Sequence, residues 1–320
     1  MSRRSGLLAA DARFKLAMAG SAWLVVLALV ATAVFLLVAS WPALSHFGPL
    51  SFFTSSRWAP SEATTTGTAP NPYGIVQFIY GTVLTSAIAM AIAVPCSVAI
   101  ALFITEVVHS RARTLLSYLV DLLAAIPSVV YGFWGIFALI PAIRPAGVAV
   151  SDALGQLPVV GPFLAGPFFG VSYFTAGLVL AIMILPIVTA ICREVFAVTP
   201  VEEKEAAAGL GATTWEAIRM AVLPRARAGI LGAAILGLGR AFGETIAVTM
   251  LIGNSVLNIS RSIFAQGATM PSVIANEFTE ANRPFHLDSL FVVAAALLVL
   301  SLLTTFVGKR IVSSISETIG

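Results

Sequence analysis

Long runs without a formal charge decide what this chain can become. Stretches 16–56, 63–105, 122–143, 153–192 and 289–308 of the 320 residues contain no Asp, Glu, Lys or Arg. A helix rising 1.5 Å per residue needs about 20 apolar residues to cross a bilayer's hydrocarbon core, and each run is long enough. Only 10% of residues are charged and 58% are hydrophobic, whereas soluble domains carry about 25% charged residues. Mean hydropathy is +0.97. These values predict an all-α integral membrane protein folded as one bundle, not several soluble domains.

Trimming the runs at Gly, Pro and polar clusters predicts six helices, near 17–39, 75–105, 116–140, 171–191, 229–252 and 289–308. Arg3, Arg4, Arg13 and Lys15 precede the first, as in a signal peptide, but its apolar run exceeds the 7–15 residues of a signal core, so it reads as a retained span. Lysines and arginines collect on the cytoplasmic side of membrane proteins. With the N-terminus inside, Arg3, Arg4, Arg13, Lys15, Arg111, Arg113, Arg193, Lys204, Arg219, Arg225, Arg227, Lys309 and Arg310 are cytoplasmic, and only Arg57, Arg144, Arg261 and Arg283 lie outside. Both termini are therefore expected in the cytoplasm. The outer loops, about 40–74, 141–170 and 253–288, are rich in Gly, Pro, Ser, Thr and Asn, which predicts irregular or short re-entrant structure and no separate domain.

Several classes of function fall away. A net charge of +3 is too small to argue for nucleic acid. Cys96 and Cys192 sit in or at the end of apolar segments and read as unpaired small core residues. His46, His109 and His286 fall in separate loops without ligand-like spacing, so no metal site is expected. No Gly-x-x-x-x-Gly-Lys-Ser/Thr phosphate loop occurs, so the chain is not its own nucleotide engine. Asp121, near Arg111 and Arg113, reads as an interfacial charge. Pro95, Pro127 and Pro186 fall inside spans and predict kinks.

The fifth span-forming segment is different, because Arg240 and Glu244 are the only charges between Arg227 and Arg261. A charge at bilayer depth costs about 2.5–3.5 kcal/mol on insertion scales, so it needs a task or a partner. Arg240 is the twelfth residue of a span starting near Gly229, which places it near mid-membrane. Spacing i, i+4 puts both on one helix face, close enough to pair. An arginine offers a planar fork of donors and stays charged at any relevant pH. The plain alternative is a structural ion pair that fixes helix packing, which Gly239-x-x-x-Gly243 supports.

Residues 192–228 form the one long cytoplasmic loop. Thr199-Pro200-Val201-Glu202 predicts a helix start with a capping box, and Thr213 with Glu216 predicts a second box. Gly209-Leu210-Gly211 breaks the chain between them. The second helix is expected to run through Trp215, Ile218 and Met220 and stop before Pro224, with Trp215, Ile218 and Val222 at helical spacing. Both helices are expected to lie outside the bilayer.

The run Glu205-Ala206-Ala207, then Gly211, then Ala221-Val222-Leu223-Pro224 resembles the EAA loop of ABC importer permeases, with Ala221 where isoleucine is usual. The resemblance implies that Glu205, Ala206, Ala207, Gly211, Leu223 and Pro224 form coupling helices docking into a cytoplasmic ATPase. The stretch Arg240-Ala241-Phe242-Gly243-Glu244-Thr245-Ile246-Ala247-Val248 resembles the PstC-type permeases of phosphate importers. Ile79-Tyr80-Gly81-Thr82, Ala93-Val94-Pro95 and Ala125-Ile126-Pro127-Ser128-Val129-Val130-Tyr131-Gly132 agree with it, over roughly residues 73–310.

That likeness implies a six-helix type I ABC importer permease in a bacterial inner membrane, with Arg240 and Glu244 on the translocation pathway. It divides the chain into a cytoplasmic segment 1–15, a first span with outer loop 16–73, a permease domain 74–310 and a cytoplasmic tail 311–320. The implied partners are a sister permease (PstA-like), an ATPase dimer (PstB-like) using ATP and Mg, and a phosphate-binding protein outside (PstS-like), with membrane lipid around. The chain itself would bind no cofactor and be non-catalytic. Two rivals stand: an ABC permease for another oxyanion or small solute, and an ion-coupled secondary transporter with Glu244 as its proton site. The second usually shows inverted internal repeats, and none is visible here.

Overall fold

Backbone polar groups at membrane depth have no water to bond, so an apolar run closes its hydrogen bonds within a helix. The computed structural model describes residues 2–63, 71–256 and 259–319, with side chains over 14–63, 71–109, 111–256 and 259–315. Among these, helix follows helix: α1 (Ser2–Phe47), α2 (Pro49–Thr54), α3 (Val76–Leu102), α4 (Ser110–Ala124), α5 (Ser128–Trp134), α6 (Ile140–Leu154), α7 (Gly161–Leu164), α8 (Tyr173–Ala197), α9 (Val201–Gly209), α10 (Thr214–Ala217), α11 (Leu223–Gly243), α12 (Ile246–Ile252), α13 (Met270–Glu277) and α14 (His286–Ile319). Among the described residues, extended pairing is confined to isolated bridges, Trp58 with Tyr73 and Gly253 with Gly267. Among the described residues, six helical stretches are long and apolar enough to cross a membrane: Phe14–Phe47, Val76–Val107, Ser128–Leu154, Tyr173–Ala197, Thr214–Gly243 and His286–Ile315.

The axis of the bundle is α8, whose Val179, Leu180, Ile184, Val188, Cys192 and Phe196 are all buried. Close approach needs small residues. Gly177 lets Ile88 and the Thr85 carbonyl of α3 reach α8, and Gly237 brings α11 against Ile184 and Val188. Ser97 Oγ donates to the Leu185 carbonyl at 3.0 Å, which cross-links α3 and α8. α11 runs antiparallel to α8, with Gly229 beside Val195 and Gly237 beside Ile184. α1 packs along α14 at the periphery.

At the end where α8 begins, a second cluster gathers Phe52, Trp58, Tyr73, Ile75, Phe78 and Leu290. Trp58 Nε1 donates to Glu277 Oε2 at 2.8 Å, and His286 Nε2 meets the same oxygen at 2.7 Å. The Tyr73 hydroxyl donates to the Pro284 carbonyl at 2.7 Å. Burial, with the Glu277 carboxylate alongside, pushes that hydroxyl up to about 12, so it stays a donor.

Four local expectations are overturned. The third span is not one helix over 116–140: α4 ends at Ala124 and α5 starts at Ser128. Pro127 lacks an N–H and disfavours the helical region for Ile126, so the ladder breaks there. The two pieces still run along α8 together, because Asp121 pairs with Arg193 at 2.7 Å and Gly135 abuts Val179. The fifth span is not continuous over 229–252, because Glu244 and Thr245 separate α11 from α12.

The expected capping box at Thr199 does not form. Pro200 is the residue before α9 and no side chain caps it, and the Thr199 hydroxyl is buried without a partner. Nor does the helix stop before Pro224. α10 continues through a π turn at Ile218–Val222 into α11, where Pro224 sits in the first turn. A proline ring collides with the carbonyl four residues back, here Met220, and the wider π turn around Met220 gives it room. The same device recurs at Gly135–Leu139, two residues before Pro141.

Candidate functional site

Arg240 lies three residues past Gly237, which abuts Ile184 and Val188, and so sits near the midpoint of α8. It is exposed on α11, and among the described residues it makes no ion pair with Glu244 or any other carboxylate. The expected i, i+4 pair fails because the helix ends between its members. Glu244 has extended backbone (φ −69°, ψ 120°), and its Oε1 accepts from the Ala247 amide at 3.4 Å. The carboxylate thus caps α12, where a negative group complements the free N–H groups and the helix dipole. Thr245 Oγ1 donates to the Gly243 carbonyl at 3.1 Å and closes the break from the other side.

The expected Gly239–Gly243 packing is not made inside this chain either. A Cβ at either position would meet nothing within 4 Å. Leu236, Gly239, Arg240 and Gly243 form one uncovered stripe at helical spacing. Behind it, Gly132 of α5 lies against Ala247 and Met250 of α12, and Arg240 is within electrostatic reach of Tyr131. The Tyr131 hydroxyl donates back to the Leu123 carbonyl at 2.9 Å, across the α4–α5 break. The α11–α12 break lies four residues from Arg240, and the α4–α5 break is bridged by Tyr131. Irregular backbone at membrane depth is tolerated where it is buried or lines a water-filled cavity.

Sequence reasoning expected a kink at Pro127 but not a full break there, and it missed the break at Glu244–Thr245. Pro127 signalled the first. At the second, the signal is Gly243 as a helix-ending residue directly followed by Glu244 and Thr245, both able to cap what comes next.

The loop beyond α8 is compact. Gly211 takes φ 84°, a left-handed conformation that glycine adopts without strain, and reverses the chain between α9 and α10. The second expected capping box is present: Glu216 N donates to Thr213 Oγ1 at 3.4 Å, and Thr213 N donates to Glu216 Oε2 at 2.8 Å. Glu205, Ala206 and Gly211 are exposed, Ala207 is buried, and Leu223 and Pro224 are half-buried at the foot of α11. Ile218 and Val222 turn inward, but Trp215 is 61% exposed, so only two of the three apolar residues at helical spacing serve the core. Leu210 and Met220 are exposed as well.

Ion pairs tie this loop to the bundle. Lys204 Nζ holds both Glu106 oxygens at 2.8 and 2.9 Å, and Arg225 meets Glu203 at 2.6 Å. Asp121 pairs with Arg193, and Arg113 instead donates to the Ile104 carbonyl at 3.0 Å and to that of Thr105. Cys96 and Cys192 are free thiols, the first exposed and the second buried.

Residues 93–317 match the family described as binding-protein-dependent transport system inner membrane component. The chain is 39% identical over 314 residues to the phosphate transport system permease protein PstC of Haemophilus influenzae, covering 97% of this chain and 95% of the relative. It is 40% identical over 311 residues to PstC of Mesorhizobium japonicum, covering 97% and 92%. Against PstC of Xylella fastidiosa (strain Temecula1) it is 42% identical over 299 residues, covering 91% and 89%. Among solved structures it is similar to inward-facing forms of the MetNI methionine ABC transporter. One aligns with TM-score 0.53 at 19% identity, covering 76% of this chain and 94% of that one, and another with TM-score 0.51 at 17% identity over the same shares. These likenesses establish the fold, a type I ABC importer permease, in a multi-pass membrane protein.

Proposed function

The chain belongs to the binding-protein-dependent transport system inner membrane component family, and from that membership we propose that it is the permease subunit of an ATP-driven importer of inorganic phosphate. The observation that carries this reading is Arg240, a permanent cation near mid-depth with no carboxylate partner among the described residues. A buried charge stripped of its partner is costly. An uncovered stripe with an unpaired guanidinium is therefore suited to an aqueous path carrying an anion. Relatives named as phosphate transport permeases over nine-tenths of the chain support phosphate as that anion.

In this reading the stripe of Leu236, Gly239, Arg240 and Gly243 faces a sister permease, and phosphate passes between the two. An outer phosphate-binding protein delivers it. Glu244 keeps the α11–α12 break in shape beside the path, which leaves the charge of Arg240 available to the substrate. Glu205, Ala206, Ala207 and Gly211, with Leu223 and Pro224 at the foot of α11, dock on a cytoplasmic ATPase dimer. That dimer hydrolyses ATP with Mg as its cofactor, and this chain performs no covalent chemistry. In this reading both termini lie in the cytoplasm of a bacterial cell, which the excess of Lys and Arg on the α9 side supports.

The test is uptake of labelled phosphate by the assembled transporter in vesicles. Arg240→Gln is expected to reach the membrane at the wild-type level and to lose uptake. Normal uptake by that variant would remove Arg240 from the pathway. Competition by sulfate or phosphonate equal to that by phosphate would reassign the substrate.

A further inference from the structure

In sequence α9 lies between spans four and five, yet one of its two ion pairs reaches span two. Glu203 and Lys204 are consecutive and point about 100° apart around the helix. Glu203 pairs with Arg225 at the foot of span five. Lys204 crosses to Glu106 at the end of span two and holds both carboxylate oxygens. Glu106 retains 11% of its side-chain exposure and Lys204 28%, so water and salt screen this pair less than a surface one.

The Glu106 end is itself braced. It sits in the π turn Phe103–Val107 that ends span two. A π turn leaves carbonyls out of register with the α-helical ladder. The Arg113 guanidinium takes up those of Ile104 and Thr105, the two residues before Glu106. Ala207, one turn beyond Glu203, is buried, while Glu205 and Ala206 face outward. α9 is therefore a crossbar with one side free, joined at two adjacent residues to two different spans.

We infer that the Lys204–Glu106 pair is a strut that makes span two move as one body with the coupling loop, so that displacement of α9 is delivered to span two as well as span five. This rests on the reading of α9–α10 as the ATPase-docking loop. Lys204 and Glu106 are positioning residues in this role and touch neither nucleotide nor substrate. Span two also packs along α8 through Gly177 and Ser97, and the pair adds a direct link from the last turn of span two to α9.

Two measurements on the reconstituted transporter, with its sister permease, ATPase and binding protein, test the strut. The first compares phosphate moved per ATP hydrolysed in wild type, Lys204→Glu, Glu106→Lys and the double exchange. Each single change is expected to lower the ratio about tenfold, within the usual range of coupling energies between sites, and the exchange to restore it to within about threefold. A double exchange that assembles but transports no better than the singles overturns the inference, as do single variants with the wild-type ratio. The second places spin labels at Leu210→Cys and His109→Cys, both exposed, in a Cys96→Ser background. Their separation is expected to be the same without nucleotide and with ATP trapped, and to differ between those states once Lys204→Gln is added. A separation that already changes in the strut-intact protein overturns the inference whatever solute is carried. Failure of the wild type to move phosphate would instead count against the substrate reading alone.

Discussion

At Glu244 the backbone leaves the helix and the carboxylate turns to the Ala247 amide, so the residue acts as an acceptor in the bend more than as a charge. Its hydrogen bond is long, at 3.4 Å, and part of its effect is electrostatic, a negative group at the start of α12. Glutamine keeps an acceptor at the same reach; alanine keeps nothing. Loss of a cap of this kind costs about 1 kcal/mol. In a chain of this size that lowers the melting temperature by about 2 °C. We therefore expect Glu244→Ala to melt lower than Glu244→Gln in detergent, with the glutamine variant close to wild type. Equal melting of the two would show that the side chain does not hold the break. The spacing of Arg240 and Glu244 signals an ion pair only if the helix continues, and Gly243-Glu244-Thr245 is where it does not. The charges were legible in the sequence, but their relation was not.

Helix-breaking residues in this protein act through the turn that precedes them. Pro224 is accommodated by the π turn Ile218–Val222, and a π turn carries one residue more than the α-helical path. One residue corresponds to about 100° of rotation. Pro224→Ala is expected to let the turn relax to α, swinging Thr213, Trp215 and Glu216 around the axis of α11 while Arg240 keeps its place. Co-purification of the ATPase with this variant should fall, while membrane insertion and the sister contact persist. Undiminished ATPase recovery would mean that the π turn does not set the angle of the docking face. Such details explain which elements a sequence discloses. Spans one, two, four and six follow from length and hydropathy alone, since the hydrocarbon core leaves few choices. The third and fifth are broken by Pro127 and by Gly243-Glu244-Thr245, because tertiary neighbours at membrane depth re-satisfy freed backbone groups. Thr213 formed its expected cap, whereas Thr199 did not, because Pro200 precedes α9 as its extended N-terminal residue.

For the molecule as a whole, glycines on α11 divide into those that build this chain and those that this chain leaves uncovered. A Cβ at Gly237 would lie 2.8 Å from Val188 Cγ2 and 2.9 Å from Ile184 Cγ2, while one at Gly239 would meet nothing. The first glycine is required by the contact with α8. The second meets no neighbour among the described residues, although glycine in a helix interior costs about 1 kcal/mol relative to alanine. Small residues on a membrane helix allow a second helix to approach closely, and the stripe around Arg240 faces away from the rest of this chain. The proposed sister permease accounts for both facts. Gly237→Leu is expected to overpack the core, at about 1–3 kcal/mol, and to lower the melting temperature of the isolated subunit. Gly239→Leu is expected to leave that melting temperature unchanged or slightly raised and to abolish co-purification with the sister permease. Full assembly of Gly239→Leu would mean that the stripe is bathed by lipid, and the path past Arg240 would then have to lie on another face.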